Sequence, residues 1–173
     1  MQTLVLGGGC FWCTESVFRS VKGVTNVTSG YMGGDEASAN YEDVCSGETG
    51  HIEVVRVDFD DSVIPLEAVL DIFFATHDPT TRDRQGNDVG SQYRSVVFYT
   101  DEDKQKPTID RVIGKLSDMG LQIVTEVHPV HEFYAAEEYH QDFFNKNPTQ
   151  GYCAAVIPPK LGKLRKEFKQ YLQ

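Results

Sequence analysis

Hydrophobic and polar positions along the chain open with a short apolar run, Thr3 to Leu6, stopped by Gly7-Gly8-Gly9. From Cys10 to Val21 the apolar positions Cys13, Val17 and Val21 recur at helical spacing, so the start reads strand, tight turn, helix. Val24 to Met32 alternates weakly and ends at Gly33-Gly34, while Glu53 to Phe59 is a β-branched run with partial alternation; both predict strands. Pro65 to Thr76 has proline at its start and apolar Leu66, Val69, Leu70, Ile72 and Phe73, which predicts a helix. Ser95 to Thr100 and Ile123 to Val127 predict two more strands, separated by a helix from Asp101 to Met119 that stops at Gly120. Ala135 to Asn145 and Lys160 to Leu172 read as closing helices. The stripe Leu161, Leu164, Phe168 and Leu172 on the second is expected to dock on the sheet.

The resulting order, βαββαβαβ and then two helices, predicts an α+β fold, a two-layer sandwich with a mixed β-sheet and a ferredoxin-like core. Two polar segments, Gly34 to Gly50 and Asp78 to Tyr93, read as long loops, which in a compact domain usually wall a site. At 173 residues, with no linker, repeat or low-complexity tract, a single domain over 1–173 is expected. A 40% hydrophobic content supplies a core that needs no disulfide staples. The net charge of −10 argues against nucleic acid, whose affinity rests on Lys and Arg neutralising phosphates. The start lacks a basic stretch followed by a long apolar run, so a cytoplasmic chain without a membrane span is expected, and a monomer.

Four cysteines, Cys10, Cys13, Cys45 and Cys153, are too sparse for a disulfide scaffold and point to reactive or metal-binding thiols. Cys10 follows a glycine turn at a helix start, where the helix dipole and free backbone amides favour thiolate. Cys10-x-x-Cys13 has dithiol spacing, and positions three apart at a helix start can bridge. Dinucleotide binding fails because Trp12 stands where a third glycine is needed. Zinc fails because neither Cys45 nor Cys153 has a closely spaced partner. His51, His77, His128, His131 and His140 lack the helical pair of a zincin, and His128-Pro129-Val130-His131 reads as a loop, so no metal is expected. The basic residues Lys160, Lys163, Arg165, Lys166 and Lys169 read as a solvated helix face.

Gly9-Cys10-Phe11-Trp12-x-x-Glu15 and Gly30-Tyr31-Met32-Gly33-Gly34 resemble the peptide methionine sulfoxide reductase A family. So do Tyr41-x-x-Val44, Gly47-x-Thr49-Gly50-His51-x-Glu53, His77-Asp78-Pro79-Thr80, Gln85-Gly86-Asn87-Asp88-x-Gly90-x-Gln92-Tyr93-Arg94-Ser95, Ala136-Glu137-x-Tyr139-His140-Gln141 and Asn147-Pro148. The resemblance implies an oxidoreductase without a cofactor that reduces the S epimer of methionine sulfoxide in oxidised proteins, and free methionine sulfoxide. It implies that Cys10 attacks the sulfoxide sulfur and becomes a sulfenic acid, with Glu53 as the acid beside it. It further implies that Tyr41 and Tyr93 bond the sulfoxide oxygen, that Asp88 supports the site or its water, and that Phe11 and Trp12 receive the S-methyl group. Thioredoxin is the implied reductant of the disulfide left after turnover.

The chain departs from that pattern at the resolving step. Many members carry glycine at the position of Cys13 and have a glycine-rich tail with further cysteines; here Cys13 is present and Cys153 is the single late cysteine. Cys153, after Asn147-Pro148, is the expected resolving thiol, Cys13 is the alternative by its spacing, and Cys45 is expected to be buried and inert. His140 is expected to be a satisfied surface histidine. The rival functions are a general thiol-disulfide oxidoreductase using Cys10 and Cys13, and a module that binds oxidised segments without turnover.

Overall fold

The computed structural model describes residues 1–173. Its central sheet begins with β1 (Gln2–Gly7), followed by helix α1 (Phe11–Arg19), β2 (Val24–Met32), a short helix α2 (Tyr41–Cys45), β3 (Ile52–Phe59) and α3 (Leu66–Ala75). A two-stranded hairpin, β4 (Arg84–Gln85) with β5 (Asp88–Val89), precedes β6 (Val96–Tyr99), α4 (Glu102–Asp118) and β7 (Glu126–Pro129). The chain closes with β8 (Tyr134–Ala135), α5 (Phe143–Lys146) and α6 (Gly151–Glu167). The six-stranded mixed sheet has the order β7-β6-β1-β3-β2-β8; β6 and β7 are parallel and every other neighbouring pair is antiparallel.

Alternation along the strands decides which face each residue serves. Leu4, Leu6, Val55, Val57, Phe59, Val97 and Tyr99 point into the main core with the buried faces of α1 and α3. Val5, Ile52, Val54, Val96 and Phe98 fill a smaller cluster on the opposite face, against Phe133. Glu53 has the same parity as Val55, Val57 and Phe59, so the pleat carries its carboxyl to the helix side, where it is buried with them.

Several elements differ from the sequence pattern. Ala135 to Asn145 does not form one helix, because the sheet edge uses its backbone. Tyr134 and Ala135 pair with Tyr31 and Gly30, and the Gln141 amide accepts from Ser29 N at 3.0 Å and donates to Ser29 O at 2.9 Å. A 3₁₀ turn at Glu138–His140 and the left-handed Asp142 then lead into α5. The last helix starts nine residues before Lys160 and ends at Glu167, and Leu172 instead bridges Val21. It runs through Pro158 and Pro159, which carry no N–H, because Cys153, Ile157 and Leu164 bury its inner face. That face packs on α1 and α3 and not on the sheet, since α1 and α3 already cover the strands. The edge strand β7 lies later than Ile123 to Val127 and includes His128 and Pro129, read above as loop; an end position on an edge strand tolerates proline.

Both long loops contain structure. Asn40 caps α2 by accepting from Asp43 N at 3.0 Å. In the other loop Gly86 and Asn87 turn the β4–β5 hairpin, and a 3₁₀ turn follows at Ser91–Tyr93.

Candidate active site

Cys10 is the N-cap of α1, and its carbonyl accepts from Cys13 N at 3.1 Å and Thr14 N at 3.4 Å, closing the first turn. Gly9 before it sits at φ +96°, and a Cβ there would come within 2.5 Å of Gln85 Cγ. Glycine therefore lets the β4–β5 hairpin close over the turn, with Gln85 anchored on Asp78 by paired bonds of 2.7 and 2.9 Å. Two flanks meet at this turn.

On the sheet flank, Glu53 Oε1 accepts from Phe11 N at 3.1 Å, and only 2% of the residue is exposed. Burial is the main cause that pushes its carboxyl up to about 8, opposed by the Phe11 amide and assisted by the charges of Asp88 and Cys13. The carboxyl is thus protonated at neutral pH. The Tyr41 and Tyr93 hydroxyls are held well above the ordinary phenol range, by burial first and then by nearby groups that include Glu53 and Cys10. Phe11 and Trp12 rings each lie 6.3 Å from that of Tyr41.

His140 is fully buried in this aromatic set, contrary to its expected surface placement. Its ring is 4.4 Å from that of Tyr41 and 5.1 Å from that of Phe11, and Nδ1 accepts from Trp12 Nε1 at 3.0 Å, which orients the indole. The other indole face stacks on Phe143 at 3.9 Å. Glu137 ties the wall together, accepting from Tyr31 Oη at 2.8 Å and Tyr41 N at 3.1 Å. Glu15 holds α5 in place by accepting from Asp142 N at 2.9 Å.

On the other flank, Cys10, Cys13 and Cys153 share one apolar cluster with Ile157 of α6. The Cys10 thiol is not poised as a thiolate. Burial raises it first, then the hydrogen bond with Cys13 and the charge of Glu53, and only the Trp12 amide pulls it down. The dipole argument is overcome here because desolvation of a buried charge outweighs one backbone amide. Cys13 moves the other way, lowered first by its bond with Cys10 and then, against burial, by Lys160 and Tyr152. Cys153 is fully buried and pushed up to about 11 by burial and by Cys13. Cys45 is exposed and not buried, because Val44 is the one buried position of α2.

A cavity of about 430 Å³ opens onto both thiols of the first turn, lined also by Asp88, Tyr152 and Lys160. Asp88 accepts a hydrogen bond from the Tyr152 hydroxyl, so it joins this flank through α6. Lys160 is not on a solvated face: its Nζ donates to Thr76 O at 2.6 Å at the cavity wall. Tyr152 and Lys160 escaped sequence reasoning, since neither carries a local signal and α6 alone brings them to the turn. Glu53 did carry one, its parity with Val55, Val57 and Phe59. No group of three or more His, Cys, Asp or Glu side chains is arranged to hold a metal, and no helix is long and apolar enough to cross a membrane.

A buried thiol pair beside a neutral acid and an aromatic wall is the equipment of thiol-dependent reductases that take a small apolar group. The profile of the family described as Peptide methionine sulfoxide reductase matches residues 2–172. A peptide methionine sulfoxide reductase of Psychrobacter sp. (strain PRwf-1) is 84% identical over 99% of both chains. One from Acinetobacter baumannii (strain AYE) is 53% identical over 100% of this chain and 99% of its own. The solved structure of reduced Mxr1 from Saccharomyces cerevisiae has a TM-score of 0.80 at 35% identity, covering 88% of each chain, and Mxr1 has also been solved in complex with Trx2. The chain belongs to the peptide methionine sulfoxide reductase family.

Proposed function

We propose that this chain, as one catalytic domain over 1–173, reduces the S epimer of methionine sulfoxide in oxidised proteins, and free methionine sulfoxide, and so repairs oxidised protein. The observation that carries the reading is Glu53, a buried, protonated carboxyl anchored on the Phe11 amide beside the Cys10 turn. A sulfoxide oxygen leaves sulfur only when protonated, and a neutral acid in a dry pocket supplies that proton. The Cys10 sulfur attacks the sulfoxide sulfur as Glu53 protonates the oxygen. Methionine departs, the oxygen stays on Cys10 as sulfenic acid, and the Cys10 proton restores Glu53. Tyr41 and Tyr93 donate to the oxygen, and Phe11 and Trp12 hold the S-methyl group against their faces.

The sulfenic acid then condenses with a neighbouring thiol. Cys10 and Cys13 face the same cavity one helical turn apart, whereas Cys153 lies behind them in the apolar cluster and off the cavity, which supports Cys13 as the first partner and Cys153, the thiol expected from sequence, as the next. An external dithiol must reduce the final disulfide, and the complex of the related Mxr1 with Trx2 supports thioredoxin in that role. A cytoplasmic, monomeric enzyme fits that reductant. The order β6-β1-β3-β2 of the βαββαβ unit, with helices on one face, supports the ferredoxin-like, two-layer reading of the fold. General disulfide exchange is disfavoured because it has no use for the protonated Glu53 carboxyl buried beside the Cys10 turn. Purified protein with dithiothreitol and each sulfoxide epimer tests the proposal: the S epimer is expected to yield methionine. Turnover of neither epimer, or of the R epimer alone, rules it out.

A further inference from the structure

The Cys13 flank holds polar groups that reduction of the sulfoxide does not use. Tyr152, at the second position of α6, places its hydroxyl 3.9 Å from Cys13 Sγ and donates its proton to Asp88 on β5. Either the Tyr152 hydroxyl or the Cys13 thiol can donate across this contact, and once Cys13 has lost its proton the hydroxyl is the donor to its sulfur. Lys160, two turns further along α6, lines the same cavity as Cys10 and Cys13, with its ammonium fixed on Thr76 O. An ammonium held at the wall of an apolar cavity stabilises an anion opposite it more than it would in water.

We propose that Tyr152 and Lys160 of α6, with Asp88 behind Tyr152, are positioning residues that make Cys13 the thiolate that attacks the sulfenic acid on Cys10. This rests on the sulfenic acid of the proposed function. The Cys13 proton passes to the Tyr152 oxygen as the Tyr152 proton passes to Asp88, and Lys160 balances the sulfur charge. The Cys13–Cys10 sulfur bond then forms and the Cys10 sulfur–oxygen bond breaks. The oxygen leaves with the relayed proton, so sulfenic acid and thiol become disulfide and water without a further oxidant.

The groups facing Cys13 act in opposite directions. Cys10 on its own turn, Lys160 and Tyr152 from α6 favour the thiolate, whereas Asp88 on β5 disfavours it. Glu53 on β3 is neutral at pH 7, and Cys153 on α6 has its own thiol raised by the Cys13 charge. The direction at Cys13 is therefore set first by Cys10 at the helix start and then reinforced from α6 by Lys160 and Tyr152.

The test separates this step from sulfoxide reduction. In Cys10→Ser protein, alkylation of Cys13 by iodoacetamide across pH, read by mass spectrometry, gives the Cys13 midpoint without any sulfenic acid. Adding Tyr152→Phe or Lys160→Gln is expected to raise that midpoint by about one pH unit, which corresponds to about tenfold less thiolate at neutral pH, and Lys160→Arg to restore it. In the otherwise unaltered protein, given one equivalent of sulfoxide and no reductant, the rate of Cys10–Cys13 closure divided by the rate of methionine release is expected to fall about tenfold in Tyr152→Phe. Midpoints that stay within 0.3 unit or so in both variants, with circular dichroism showing intact folds, overturn the proposal. Mapping a Cys10–Cys153 bridge as the first disulfide in the wild type overturns it as well. Absence of methionine release in the wild type would instead strike the proposed function, and the alkylation midpoints would still decide the roles of Tyr152 and Lys160.

Discussion

The two flanks of the α1 first turn are a few ångströms apart and are built on different plans. The Glu53 flank is sheet-borne and nearly dry: strand β3 delivers the acid from the core face, and aromatic rings from α1, α2 and the segment before α5 enclose it. The Cys13 flank is assembled from the β4–β5 hairpin and α6, and it keeps a hydroxyl, a carboxylate and an ammonium at a cavity. One flank raises its acid so that it can give a proton, and the other lowers its thiol so that it can lose one. Burial is shared by both; the difference lies in whether polar partners were brought in with it.

The comparison breaks first at the nucleophile. Cys10→Ser is expected to reduce methionine release to the background rate, measured by single-turnover chromatography, because a serine hydroxyl cannot take the sulfoxide oxygen as a sulfenic acid does. Glu53→Gln is expected to slow release by about 10²- to 10³-fold while leaving Cys13 alkylation in place, since an amide keeps the shape and loses the proton. In wild type the release rate should fall as pH rises through about 8, and this limb should vanish in Glu53→Gln.

Stability follows the same carboxyl. Its pKa is raised on folding, so the stabilisation it adds relative to high pH is present below its ordinary value near 4.5 and is lost as pH rises through about 8. Urea melts across that window should show a slope that Glu53→Gln flattens. Leu164→Ala sharpens the contrast from the other side. A fully buried leucine of α6 lost to a cavity is expected to cost about 2–5 kcal/mol in urea melts, and to loosen the Cys13 flank before the sheet flank in hydrogen exchange. The smallest effect is expected from Phe143→Ala, which uncovers Trp12. Loss of the stacked pair should cost about 1 kcal/mol and shift the fluorescence of the single tryptophan to the red.

Legibility in the sequence differs between the flanks for a physical reason. Cys10 was readable because glycines, a cysteine and a helical repeat lie within a dozen residues, and the βαββ start follows from local periodicity. Glu53 was named through resemblance, although its parity with three core residues marked it as buried. The helix predicted over Ala135 to Asn145 failed because its backbone serves the β2 edge, a partner more than a hundred residues away in sequence. Lys160 and His140 were placed on the surface for the same reason, since burial of a polar side chain is decided by what packs over it.

By itself, then, the sequence determined the order of elements, the glycine turn that presents Cys10, and, through resemblance, the chemistry to expect there. Only the tertiary structure decided the charge state of that chemistry. The helix dipole pointed to a Cys10 thiolate, yet closing α6 and the hairpin over the turn desolvated Cys10, and Cys13, lowered first by Cys10, gained Lys160 and Tyr152 beside it. A pKa is set by the dielectric and the charges within a few ångströms, and those are contributed by segments more than seventy residues apart along the chain.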